Sequence, residues 1–307
     1  MVGVTYFLIP KETIKAMTLG PNKIKKLYNY VFDKKPILYG FRGSIAHNLH
    51  IPREADDVFG VDDIDMFGLY CFPADYYLSL EGYYHHKEVV DEKIGADDTV
   101  EYELHKAFHL LAGCNPNIIS FLFNKEEHYT HISEAGRLLL ENRKIFFARK
   151  RIRDGFAGYA YSQLNRLTEH AYKGYMGAKR KNVVDEYGYD TKNAATLIRL
   201  LRQGVEVLET GEIQTFREKD RQELLDIKTW KLTLVGVQDL AEIEFKKLDA
   251  AFEKSSLPME NSNAQINELL VKMMRLELSE DFGPSSEVNV ARKVILKWKT
   301  NILILER

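Results

Sequence analysis

Hydrophobic positions change period once along this chain, and the change predicts two kinds of architecture. Up to about residue 125 the apolar runs are short and broken by turn residues. Ile24, Leu27, Tyr28 and Val31 fall at helical spacing and predict a short amphipathic helix over 22–33, stopped by Pro36. Ile37-Leu38-Tyr39, between Pro36 and Gly40, predicts a strand. Gly40 and Gly43 mark a turn, with Ser44 placed to cap a following helix. Residues 53–60 are polar and read as a loop, whereas Asp63 to Phe72 alternates and then turns apolar, as a central strand does. A helix is expected over Leu104–Leu111, ending near Gly113 and Pro116, followed by the apolar segment Ile118–Phe123.

Beyond residue 125 the helical period dominates. It predicts helices over Ala135–Arg151, Phe156–Tyr172, Thr191–Leu208, Val235–Phe252 and Asn263–Leu278, and a strand within Val294–Leu305. The pattern is that of an α+β chain. A mixed sheet with helices is expected over 1–125 and a mostly helical domain over 126–307. There is no internal repeat and no low-complexity tract.

Composition narrows this little. The 307 residues are 45% hydrophobic and 29% charged with a formal charge of −2, so bulk electrostatics do not announce a nucleic-acid binder. Two cysteines, Cys71 and Cys114, are too few for a disulfide framework or a structural zinc site, which fits a reducing, cytoplasmic setting. Met1–Pro10 carries an apolar run with no basic region before it and reads as strand or loop rather than signal peptide. No stretch approaches the roughly 20 apolar residues that span a membrane. The oligomeric state is not written in the sequence.

The candidate chemistry lies in Asp62-Asp63-Ile64-Asp65-Met66. On a strand Asp63 and Asp65 share a face, with Cα atoms roughly 6.5–7 Å apart. Two carboxylates so placed suit a pair of divalent ions, Mg²⁺ or Mn²⁺, about 3.5–4 Å apart, the arrangement used for in-line phosphoryl displacement. Upstream, Leu38-Tyr39-Gly40-Phe41-Arg42-Gly43-Ser44 offers a strand, a glycine turn and a serine hydroxyl for a phosphate. Either element alone is weak: Gly-Ser is common and an Asp-x-Asp is more often a solvated turn. Here the acids sit in an apolar strand, where unpaired carboxylates would be costly, and a metal site removes that cost. His105 and His109, one helical turn apart, and His85-His86 read as ordinary histidines without a third zinc ligand. Cys71 reads as a small buried hydrophobe.

Gly43-Ser44, then Asp63-Ile64-Asp65, then Gly68-Leu69-Tyr70-Cys71-Phe72-Pro73 and Tyr76-Tyr77-Leu78 resemble the RNA-repair-associated nucleotidyltransferases of the DNA polymerase β superfamily. The resemblance continues through Tyr102-Glu103-Leu104-His105-Lys106, Asn115-Pro116-Asn117, Tyr159 with Ser162-Gln163-Leu164, Tyr189-Asp190-Thr191-Lys192, Leu197-Ile198-Arg199-Leu200 and Ser256-Leu257-Pro258, covering about residues 37–275. It implies an enzyme that moves an NMP from an NTP to an acceptor hydroxyl. Gly43 and Ser44 would hold the NTP, and Asp63 and Asp65 the metal. It also implies a third carboxylate from a neighbouring strand, for which Glu101 is favoured over Asp98 and Glu103. Lys192 and Arg199, seven apart on one helix face behind an Asp190 cap, would meet the triphosphate. Two departures stand out. Asp63 follows Ser44 by 19 residues, a long gap for the superfamily, and Phe67 occupies a position where arginine is frequent.

The acceptor is expected to be an RNA end. The basic segments Arg143–Arg153 and Lys173–Lys181, interleaved with Tyr159, Tyr161, Tyr172 and Tyr175, could hold a backbone and stack bases. Solvated charge and helix-core tyrosines are the plainer reading of the same residues. A protein or small-molecule acceptor, and a non-catalytic nucleotide-binding regulator on the same fold, are the alternatives.

Overall fold

A computed structural model describes residues 34–52, 59, 64–78, 92–94, 99–168 and 184–282. The helix expected over 22–33, most of the 53–60 loop, His85-His86, the Lys173–Lys181 segment, Tyr172, Tyr175 and the strand expected within 294–305 lie outside the described residues, as do Asp63 and Asp98. The described residues fall into two compact units. One comprises Lys34, Lys35, 71–78 and 277–282, the other the described parts of 36–70 and 91–276.

The protein is α+β. Its mixed sheet has five strands among the described residues: β1 (Lys35–Phe41), β2 (Met66–Cys71), β3 (Glu92–Ile94), β4 (Thr99–Glu103) and β5 (Tyr129–Ile132). They are ordered β3-β4-β2-β1-β5. β2 and β4 run parallel, with Phe67 opposite Val100 and Gly68 opposite Glu101. β3 pairs antiparallel with β4, and β5 antiparallel with β1. Central β2 is buried on both faces from Phe67 to Cys71, which is why its sequence is a near-continuous apolar run. β3 and β5 are too short and too polar to carry a period, and the sequence pattern does not reveal them.

Short helices among the described residues of this stretch of chain are α1 (Gly43–Ala46), α2 (Ala74–Leu78), α3 (Leu104–Ala112), α4 (Pro116–Phe121) and α5 (Glu134–Glu141). Glu103 caps α3 by accepting from the backbone N–H groups of His105 and Lys106. Asn115 caps α4, with Pro116 in its first turn. Ser44 is not a cap. Arg42 occupies that position, without a side-chain bond, and Ser44 lies inside the single turn of α1.

Longer or later helices among the described residues are α6 (Arg149–Thr168), α7 (Thr191–Thr210), α8 (Arg221–Lys228), α9 (Leu234–Lys254) and α10 (Asn263–Leu278). The helix expected over Ala135–Arg151 is three pieces instead: α5, a 3-10 turn over Arg143–Phe146, and the start of α6. The reason is packing. Phe146, Phe147 and Ala148 are consecutive and all buried, which one face of a continuous surface helix cannot achieve. α7 is the hub, packing against α6, α8 and α9. Its residues Leu197, Ile198, Leu201 and Val207 are fully buried, and Gly211 ends it in a left-handed conformation. No described helix is long and apolar enough to cross a membrane.

Candidate active site

A cleft of about 250 Å³ opens in the larger unit, and several pieces of chain build it. The first is the turn leaving β1. Arg42 N donates to Asp65 O at 2.9 Å, tying this turn to the residue before β2. Gly43 has φ of 63°, and a Cβ on it would overlap Asp65 Oδ2. Glycine is therefore required twice, for its backbone conformation and for the closeness of the carboxylate. Arg42 Nη2 lies 3.6 Å from Asp65 Oδ1.

Gly43→Ala should consequently lower stability by about 1–2 kcal/mol from the left-handed backbone alone, with the overlap at Asp65 added. Gly158→Ala is the control. That glycine is exposed on α6 with nothing within 4 Å of its would-be Cβ. Its replacement should stabilise the protein by about 0.5–1 kcal/mol through helix propensity. Urea unfolding midpoints of the two variants, moving in opposite directions from wild type, check the pair.

The second piece is the sheet. Asp65, Phe67, Val100 and Tyr102 line the cleft. Phe67 is buried, its ring edge-on to Tyr102 and Phe121 at 5.1 and 4.7 Å between centroids. It forms apolar floor where an arginine would have offered a phosphate contact. Because Val100 and Tyr102 face the cleft, strand alternation turns Glu101 to the opposite face of the sheet. There Tyr39 Oη donates to Glu101, reaching it across Gly68, whose missing Cβ leaves room for the Tyr39 ring. Burial first, and then that bond, push the Tyr39 hydroxyl well above the usual tyrosine range. The structure thus does not bring Glu101 to Asp65. Glu103 is committed to capping α3 and to His105, whose Nδ1 lies 3.0 Å from its Oε1. That bond raises the His105 pKa.

The third piece is α7. Asp190 caps it by accepting from Asn193 N, as the sequence predicts. Lys192 and Arg199 both line the cleft, Lys192 exposed and Arg199 buried at 8% exposure. Arg199 Nη1 donates to Gln203 Oε1 at 2.7 Å, and no carboxylate among the described residues lies within ion-pair distance of it. Burial, and then the nearby Arg217 charge, hold its pKa down to about 9. Arg217 itself is neutralised, by Glu206 and Asp220 at 2.7 Å each.

His47, Thr215 and Lys228 supply the last wall. His47 Nδ1 lies 3.0 Å from the Thr215 carbonyl. Burial and the Arg199 charge hold the His47 pKa well below the ordinary histidine value, so the ring is neutral and Nδ1 carries the proton donated to that carbonyl. Lys228 Nζ donates to Leu49 O at 2.6 Å. Ser120 and Asn124, at the end of α4 and just beyond it, also reach the cleft. None of these residues carried a sequence signal, since each belongs to a segment whose period reports packing alone.

Of the residues singled out from the sequence, the structure gathers Gly43, Ser44, Asp65, Lys192 and Arg199 around one cleft. The basic segment Arg143–Arg153 is not part of it. Lys144 pairs with Glu212, Lys150 and Arg151 with Glu260, and Arg153 with Asp154 and Asp249. Arg143 and Arg149 lie over the rings of Phe123 and Phe252. Tyr159 Oη accepts from Asn115 Nδ2 at 2.6 Å, and Tyr161, half exposed, stacks on Phe245. These are packing and surface roles.

A divalent ion fits the chemistry of what is present. Asp65 is a hard oxygen donor facing the cleft, in a cradle that a side chain at position 43 would fill. Among the described residues no group of three His, Cys, Asp or Glu side chains is close enough to hold a metal. The chain matches no curated protein and no solved structure at a significant level. The family model of the RNA repair pathway DNA polymerase β family does match, over residues 57–272. That span includes Asp65, both sides of the sheet floor and the cationic face of α7, and covers more than half of the sequence, so the chain belongs to the RNA repair pathway DNA polymerase β family.

Proposed function

We propose that the protein is a metal-dependent nucleotidyltransferase that moves an NMP from an NTP onto a hydroxyl at an RNA end, releasing pyrophosphate. The observation that carries this reading is the buried guanidinium of Arg199, which has no carboxylate within ion-pair distance among the described residues and shares a cleft with Gly43, Asp65 and Lys192. A buried cation without a counter-charge is costly, and an anionic ligand offsets that cost. A triphosphate matches two cations and a glycine turn on one cleft.

In this reading Lys192 and Arg199 bind and orient the triphosphate, and the glycine turn lets the backbone approach it. Asp65 and Asp63 would hold Mg²⁺ or Mn²⁺. Asp98 is the preferred third acid, because sequence alternation puts it in phase with Val100 and Tyr102 rather than with Glu101. The ions, when bound, would supply Lewis-acid stabilisation of the charge that develops on the transferring phosphoryl group. The rings of Phe67, Tyr102 and Phe121 exclude water from the floor. Neutral His47 adds no charge beside Arg199, so the cationic side of the cleft is set by the α7 residues, Arg42 and Lys228. The acceptor hydroxyl passes its proton to a carboxylate of the acidic set or to solvent as its oxygen attacks the α-phosphorus in line with the departing pyrophosphate, and most of the catalysis is positioning.

The RNA acceptor draws its support from the RNA-repair description of the family, not from the Arg143–Arg153 segment. The test is incubation of the full chain with each α-labelled NTP, Mg²⁺ or Mn²⁺, and an RNA with defined 5′ and 3′ ends. Label on RNA, shifting it by one nucleotide and requiring metal, is the expected result. Label appearing on protein or on a small molecule instead would reassign the acceptor. Failure to label anything, despite NTP binding, would leave a nucleotide-binding regulator.

A further inference from the structure

Two buried polar atoms of the cleft are unexplained by phosphate binding. Ser120 Oγ and Asn124 Oδ1 are shielded from water and have no hydrogen-bond partner among the described residues, although both residues line the cleft. Their other polar groups are committed. Asn124 Nδ2 donates to Phe41 O at 2.8 Å, and the Ser120 carbonyl accepts from Thr215 Oγ1 at 2.8 Å. The bond to Phe41 fixes the sense of the Asn124 amide, because a carbonyl there needs a donor and only the NH₂ can provide it. The orphan atom of Asn124 is therefore an acceptor. Buried polar groups in native proteins are almost always satisfied, and an exception inside a cleft points to a ligand or an ordered water.

The charge of the ligand's phosphates cannot meet this need, since phosphate oxygens are acceptors at neutral pH and would repel Asn124 Oδ1. What Oδ1 requires is an N–H or O–H. In an NTP only the nucleoside carries such groups. Phe67, Tyr102 and Phe121 give the same cleft apolar ring surface, on which a base can pack. We propose that Asn124 and Ser120 form a nucleoside-reading subsite, in which Asn124 Oδ1 accepts a hydrogen bond that the nucleoside of the NTP must donate and Ser120 Oγ pairs beside it. This rests on the reading of the cleft as an NTP site. An exocyclic amine next to a bare ring nitrogen, as on adenine or cytosine, matches an acceptor beside a rotatable hydroxyl. A ribose hydroxyl offers the same donor chemistry.

The test uses the full chain, Mg²⁺ and α,β-methylene nucleotides in titration calorimetry. The parent ATP and CTP analogues are compared with the purine-riboside analogue, which lacks the amine, and with 2′-deoxy and 3′-deoxy forms. The analogue missing the required donor should bind about 10- to 100-fold more weakly. Loss on removing the amine assigns the donor to the base, and loss on removing a hydroxyl assigns it to the sugar. Ser120→Ala should weaken the parent nucleotide but cost little for a deaza analogue in which C–H replaces the ring nitrogen beside the amine, a non-additivity that a purely structural role would not produce. The analogues act on the wild-type chain, so the test survives a variant that fails to fold. Equal binding of every analogue, with Ser120→Ala unaltered, would overturn the subsite while leaving the NTP site standing and a bridging water as the partner. Absence of binding by any nucleotide would instead overturn the NTP reading itself.

Discussion

Replacing Asp65 with asparagine is expected to cut NMP transfer by at least about 100-fold, the scale on which removal of a single electrostatic catalytic group is felt, while leaving the protein folded. The carboxylate lies against Gly43 at the cleft wall and is the one acid of the Asp63-Ile64-Asp65 motif within the described residues. Its pairing with Arg42 is at 3.6 Å between partly exposed groups, worth about 0–1 kcal/mol, so the loss of that pair costs little stability. Asp63→Asn and Asp98→Asn should behave alike if these residues complete the acidic set. Glu101→Gln is the discriminating variant. Glutamine can still accept from Tyr39 Oη on the far face of the sheet, and transfer should stay near the wild-type rate. Single-turnover labelling with Mg²⁺ and a thermal melt of each variant decide the matter. If Glu101→Gln lost activity as fully as Asp65→Asn and Asp98→Asn did not, the third acid would be Glu101 and the face assignment would be wrong.

Arg199→Met is expected to weaken NTP binding by about 1.5–3 kcal/mol, the usual worth of a hydrogen bond to a charged group, and yet to hold or raise stability without nucleotide. The two effects have one cause. The fold holds Arg199 buried beside Arg217, with Gln203 as its side-chain hydrogen-bond partner among the described residues, and its pKa is held down to about 9. A basic group depressed in this way destabilises the folded state fully at pH values below the depressed pKa, and the penalty fades as pH rises above about 9 toward the ordinary arginine value. Methionine of similar length removes the charge and keeps the packing, so the penalty disappears at neutral pH. A bound triphosphate acts on the same penalty by supplying the missing anion. A non-hydrolysable NTP should therefore raise the wild-type melting temperature and leave that of Arg199→Met almost unchanged. Lys192→Ala, which removes an exposed cation, should weaken binding without the gain in stability. Unchanged NTP affinity in the Arg199 variant, measured by calorimetry, would return this arginine to a structural role.

Much of the fold was legible because long periodic segments have one good solution. Thr191–Thr210, Leu234–Lys254 and Asn263–Leu278 are predicted within two residues of their observed ends, since each carries an apolar stripe, and caps at Asp190 and Thr233 agree with it in the first two. The helix over Ala135–Arg151 fails for the opposite reason. Phe146-Phe147-Ala148 is apolar without a period, and a run buried on every side says nothing about which backbone carries it. Strands β3 and β5 are invisible in sequence because their pairing partners, not their own side chains, make them strands.

The candidate site divides along the same line. Local chemistry wrote Gly43, Asp65, Lys192 and Arg199 into the chain: a glycine forced by a left-handed turn, a carboxylate in an apolar strand, and two cations seven residues apart behind an aspartate cap. Which acids share the cleft is decided by strand parity relative to neighbours, and the sheet turns Glu101 away toward Tyr39. That Arg199 is buried with no carboxylate at ion-pair distance among the described residues, that His47 is neutral, and that Ser120 and Asn124 keep atoms without a partner among those residues follow from segments far apart in sequence packing together. The sequence by itself determined the residue types that can bind a nucleotide. Only the tertiary structure decided which of them face one another, because burial and electrostatic neighbourhood are properties of the packed chain.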